Sequence, residues 1–116
     1  MPSDVGPRLG KVRQRDYLPA VVERLAKGFA PLKIVLFGSV ARGEEGPWSD
    51  LDLLVVMPEG TDKRKTAAAM HRALVGGLPV AADIFVVHPA DLEKYRDYVG
   101  HVVRPALREG EVVYDA

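Results

Sequence analysis

Three short apolar runs, residues 32–37, 51–57 and 80–87, punctuate a chain whose other apolar residues recur at helical intervals. Runs of this length bounded by turn formers predict strands, and apolar residues on both faces of the third suit a sheet covered on both sides. From Asp16, a candidate N-cap, Leu18, Val21, Val22 and Leu25 keep helical spacing, with Pro19 tolerated in the first turn and Gly28 as the stop. Residues 61–75 predict a second helix with Ala67, Met70, Ala73 and Leu74 as its inner stripe and Gly76-Gly77 as its end. Pro89 starts a third helix over residues 90 to about 99, with Leu92 and Tyr95 inward. Gly100 and Pro105 divide it from a short helical piece, and residues 111–114 add an edge strand. Helices alternating with strands predict one α/β domain over residues 16–116, a mixed β-sheet flanked by helices. Residues 1–15, rich in Gly, Pro and Arg and without a period, read as a flexible N-terminal arm.

Composition narrows the class. At 116 residues the chain holds one modest core and has no room for a separate substrate domain. Sixteen basic and sixteen acidic residues balance, with a pI near 6.8, so no global field gathers long nucleic acid. That argues against a polymerase. The absence of cysteine excludes disulfides and thiolate metal sites, which fits a cytoplasmic protein. Neither a signal-peptide core nor an apolar run of membrane-spanning length is present, so no membrane role is expected.

The candidate chemistry sits where the first two strands end and begin. Gly38-Ser39 closes the first run, and Asp50-Leu51-Asp52 opens the second. Residues i and i+2 of a strand share a face, so Asp50 and Asp52 aim together. Two carboxylates so placed repel unless a cation lies between them, and hard oxygen ligands suit Mg²⁺, which also takes substrate phosphates. If the two runs pair as antiparallel neighbours, Gly38 and Ser39 lie beside those acids. Glycine lets a backbone approach a phosphate, a serine hydroxyl and backbone N–H groups can bind its oxygens, and Arg42 adds a positive charge. Asp83 is a single acid in an otherwise apolar strand, a costly placement unless it is paired or ligating.

The other polar residues carry weaker signals. Trp48, just before Ser49-Asp50, can stack on a base or close over the loop, and is not assigned a role in the site. Lys63, Arg64 and Lys65 crowd a helix start against the dipole and read as a solvated face. His71, His88 and His101 lack ligand spacing and read as surface or local capping residues.

The strings GSVARG and SDLDLLVV, with ten residues between Ser39 and Asp50, resemble the signature of the nucleotidyltransferase superfamily that includes DNA polymerase β. They are most similar to the minimal nucleotidyltransferases, the MNT proteins, of the MntA antitoxin type. That resemblance implies the nucleotidyltransferase fold, with Asp83 in VAADIFVV as the third acid. It further implies two Mg²⁺ ions held by Asp50, Asp52 and Asp83 as the catalytic and metal-binding residues. Gly38, Ser39 and Arg42 would bind the nucleotide, with ATP or another NTP as substrate. The implied function is transfer of a nucleoside monophosphate, AMP from ATP, to a hydroxyl on a small helical HEPN-type toxin partner. The alternative is a non-catalytic nucleotide-binding subunit that acts by binding its helical partner.

Overall fold

The computed structural model describes residues 14–44 and 50–116. A four-stranded mixed sheet runs in the order β3-β2-β1-β4, with β1 Lys33–Phe37, β2 Leu51–Val56, β3 Ala82–Val87 and β4 Glu111–Asp115. The helices are α1 Leu18–Phe29, α2 Gly38–Ala41, α3 Lys63–Val75, α4 Pro89–Lys94 and α5 Val103–Glu109. β1 pairs antiparallel with β2 and with β4, while β2 and β3 run parallel, joined by the α3 crossover. The expected α/β architecture with a mixed sheet is therefore the observed one. No helix among the described residues is long and apolar enough to cross a membrane.

Alternation along the strands builds two cores. On one face Ile34, Leu36, Leu51, Leu53 and Val55 pack with Leu18, Val21, Leu25, Met70 and Leu74 from α1 and α3. On the other, Val35, Phe37, Leu54, Val56 and Val87 pack with Val103 and Ala106 of α5. Each fully buried leucine is worth about 2 kcal/mol, so these rows dominate any surface ion pair in fixing register. Asp52 continues the row of Leu54 and Val56, and Asp83 that of Phe85 and Val87, so both acids lie on the α5 face.

Several boundaries differ from the sequence reading. α1 begins after a 3₁₀ turn, Gln14–Tyr17, with Tyr17 rather than Asp16 at the N-cap. It runs through Gly28, and Ala30 still donates its N–H to the Ala26 carbonyl before its left-handed φ of 50° turns the chain out of the helix, with Pro31 next. Of the expected N-terminal arm, Gln14 and Arg15 are described. Gln14 Oε1 accepts from the Ala81 N–H, and Arg15 pairs with Glu111. α3 starts at Lys63, because the Asp62 side chain accepts from the Lys65 N–H at 2.9 Å. Such a cap is worth about 1 kcal/mol, enough to offset the basic first turn against the dipole. α4 stops at Lys94 rather than near residue 99, and Tyr95 stacks on His101 at 3.9 Å where further helical turns were expected. Pro105 sits inside the first turn of α5 instead of separating helices.

Candidate active site

β1 delivers the chain to Gly38 with Phe37 extended opposite Asp52. Gly38 then takes a φ of +79°, where a side chain is strained, and turns directly into α2. A Cβ at this position would stand 2.1 Å from Asp52 Oδ2. Glycine is thus required twice, once by the backbone and once by the carboxylate beside it. The loop and the acid form one unit, as the antiparallel pairing of the two runs predicts.

The acids assemble through register. Asp52 of β2 is directly opposite Asp83 of β3, and Asp50 precedes β2 by one residue on the Asp52 side. Asp52 is half-buried, and its carboxyl titrates above the ordinary range. Burial is the largest cause, followed by the negative charges of Asp83 and Asp50, with Arg42 opposing them. This site raises the cost of ionising its central acid, a cost a bound cation relieves. The donor set of three hard carboxylates therefore fits magnesium. Among the described residues, no three His, Cys, Asp or Glu side chains are already gathered closely enough to hold a metal ion.

The burial expected of Asp83 is not observed. β3 is an edge strand and Asp83 is exposed, so desolvation argues for a ligand at Asp52 rather than at Asp83. Edge position is set by chain topology, which the apolar run did not reveal.

Arg42 caps α2 and reaches two carboxylates. Its Nε donates to Glu44 at 2.9 Å and its Nη1 to Glu109, at the end of α5, at 2.7 Å. Hydrogen bonds to Glu44 and Glu109 hold its guanidinium above its ordinary pKa. Neither partner was read from the sequence: Glu109 stands 67 residues away, and Glu44, two residues on, carried no signal beyond its place in the turn. Ser39 lies in α2 next to Gly38. Trp48 falls outside the described residues.

Beside the end of α3, a hollow of about 150 Å³ is lined by Asp50 and Asp83 together with His71, Leu74, Val75 and the chain entering β3. His71, read as a surface residue, is exposed and shares this hollow with two of the three acids. Its place one turn before Leu74, at the margin of the α3 stripe, was the available signal. His101 caps locally as read, its Nδ1 accepting from the Val103 N–H, whereas half-buried His88 stands at the N-cap position of α4 and its Nε2 donates to the distant Thr61 carbonyl at 2.7 Å.

A mixed sheet with a glycine turn set against paired acids is the arrangement of a nucleotidyl-transferring domain. The chain belongs to the nucleotidyltransferase domain family, whose model it matches over residues 18–107. Among solved structures it is similar to one from Sulfolobus solfataricus provisionally described as a nucleotidyltransferase, at 19% identity and a TM-score of 0.61 over 99% of this chain and 92% of that one. It is also similar to a toxin-antitoxin structure with AMP-PNP, at 17% identity and a TM-score of 0.62, covering 90% of this chain and 75% of that one. A mutant of the toxin-antitoxin MntA-HpeT is similar at 14% identity and a TM-score of 0.57, with the same coverages. These likenesses establish the fold. No curated protein matches the chain by sequence.

Proposed function

We propose that this nucleotidyltransferase domain moves AMP from ATP to a hydroxyl of a small helical HEPN-type partner, with Mg²⁺, as the antitoxin of a toxin–antitoxin pair. The observation that carries this reading is the packing of the Gly38 turn, just past the end of β1, against Asp52, which is itself paired with Asp83 on the next strand. The turn at Gly38-Ser39 offers backbone N–H groups and a hydroxyl to the β- and γ-phosphates, and Arg42 adds charge there once released from Glu109. Asp50 and Asp52, with Asp83, are the residues to hold magnesium. Bound there, the metal would neutralise phosphoryl charge and favour the ionised acceptor. The acceptor oxygen forms a bond to the α-phosphorus, the bond to the bridging oxygen breaks, and pyrophosphate leaves with the electron pair. Asp83, exposed at the sheet edge, takes the hydroxyl proton. The likeness to a toxin-antitoxin structure with AMP-PNP supports both the nucleotide and the partner. A cytoplasmic location follows from such a partner.

Incubating the chain with Mg²⁺, α-labelled ATP and the product of its neighbouring gene tests the proposal. The partner should take label, and Asp50→Asn or Asp52→Asn should abolish it while the chain stays folded. Absence of label on the partner with the unaltered chain would sink the transferase reading. Suppression of the partner that survives in both variants would favour the non-catalytic subunit instead.

A further inference from the structure

We infer that the open edge of β3 is a docking groove for an extended acidic segment of a partner protein, which adds to the sheet as a further strand. A groove of about 390 Å³ is lined there by Ile84, Phe85, Val86 and Val87. Successive residues of a strand point to opposite faces, so four in a row share a groove only when it runs along the edge. The backbone on that edge is unpaired. Ala81 and Val87 accept from the Leu51 and Met57 N–H groups at either end of β2, both at 2.9 Å. Parallel pairing uses every second residue, so residues 81, 83, 85 and 87 face β2, while Ala82, Ile84 and Val86 turn their N–H and C=O groups to the open side.

Strand edges are usually blunted. β4, at the other edge, carries Glu111 and Asp115 at its ends, and its register with β1 shifts between Ile34 and Val35. From Ile84 to Val87, β3 has neither a charge nor a proline. Walls rise on both sides of it instead. Lys63, Arg64 and Ala67 of α3 flank one face, and Tyr95 and Val102 flank the other with His101, whose ring stacks on Tyr95. Lys63 pairs at 2.7 Å with Asp91, whose carboxylate also accepts from the His88 N–H, one residue past Val87. The groove is therefore closed at that end and runs toward Asp83 at the other.

Charge selects the occupant. Asp91 is already held by Lys63 and by the His88 N–H, whereas Arg64 has no carboxylate partner among the described residues, and the first turn of α3 contains no acid. A segment lying in the groove turns alternate side chains to the two walls, so a carboxylate faces Arg64 and an apolar side chain faces Tyr95 and Val102. A peptide also meets the outward N–H and C=O groups alike. A nucleic-acid phosphate only accepts, and leaves those carbonyls unmet.

The test needs neither Mg²⁺ nor ATP, so its failure leaves the transferase reading intact. The isotope-labelled full chain is titrated with a capped hexapeptide of alternating glutamate and valine. The amide resonances of Ile84 and Val86 should shift and their hydrogen exchange should slow, with those of β4 unmoved. Arg64→Glu should weaken binding about fivefold at low salt, the equivalent of one exposed ion pair, and should bind a lysine-valine peptide more tightly than the unaltered chain does. Two further peptides, N-methylated at the glutamates or at the valines, should separate into one that binds and one that does not, because a paired strand turns every second N–H to its neighbour. Equal effects of the two methylations, no shift at Ile84 and Val86, or unchanged affinity in Arg64→Glu would overturn the docking site. So would tighter binding of an oligothymidylate at the same resonances, which points to nucleic acid, or resonances that move with protein concentration alone, which points to a second copy.

Discussion

Gly38 and Asp52 are packed so closely that a Cβ on the glycine would lie 2.1 Å from Oδ2 of the aspartate. No carbon and carboxylate oxygen coexist at that distance, so any side chain at residue 38 must push Asp52 aside or unwind the turn. Misplacing a reacting group by 1 Å costs about a hundredfold in rate, so Gly38→Ala should lower turnover by at least about that factor. It should also lower the melting temperature, since φ is +79° there. Steady-state kinetics and calorimetry read the two effects separately. Turnover equal to that of the unaltered chain would show that the placement of Asp52 against the turn is dispensable.

Asp52 also makes stability depend on pH. Burial first, then Asp83 and Asp50, raise its carboxyl above the roughly 3.9 of an unfolded chain. Between those two values the folded state keeps a proton that the unfolded state has lost. The stability contributed by the neutral form is therefore fully present below the unfolded value and is lost as pH rises through the folded one. Asp52→Asn, which cannot ionise, should melt above the unaltered chain at pH 7, and the gap should close as pH falls toward about 4. Adding Mg²⁺ with ATP should reverse the order, because only the carboxylate gains from a ligand that binds the folded state.

Much of this was legible in the chain because strand faces follow a period of two. The rows of Leu53 and Val55 and of Leu54 and Val56 fix which way Asp52 points, and the ten-residue gap after Ser39 leaves room for a turn between paired strands. What eluded the sequence depends on contacts between distant segments. Ala30 ends α1 in a left-handed conformation that glycine usually supplies, while Gly28 stays helical. Gly110 is needed for space rather than for φ, since a Cβ there would meet the Ala106 carbonyl oxygen at 2.2 Å. Asp83 looked buried because its neighbours are apolar, yet β3 has a partner on one side only.

That edge position separates function from stability at Asp83. An exposed carboxylate contributes little to the fold, so Asp83→Asn should change unfolding free energy by no more than about 0.5 kcal/mol. Its transferase rate should nevertheless fall more than about tenfold, since even residues one shell outside a metal cost that much. Denaturant unfolding and labelled-ATP turnover on one preparation give both numbers. A large stability loss would mean that Asp83 serves the sheet and not the reaction.

Arg42 is held by Glu109 at 2.7 Å and by Glu44 at 2.9 Å, so in this state its charge faces carboxylates rather than phosphate. The Arg42–Glu109 pair is 40% and 41% exposed, and such pairs are worth at most about 1 kcal/mol. Releasing Arg42 should therefore leave stability almost unchanged while making the guanidinium easier to recruit. Glu109→Gln should lower the KM for ATP about two- to fivefold, the equivalent of that pairing energy, and Arg42→Ala should raise it. The effect of Glu109→Gln should shrink at high salt, because screening already weakens the pair in the unaltered chain. If Glu109→Gln instead raised the KM as Arg42→Ala does, the carboxylate would be aiming the arginine at the nucleotide rather than competing for it.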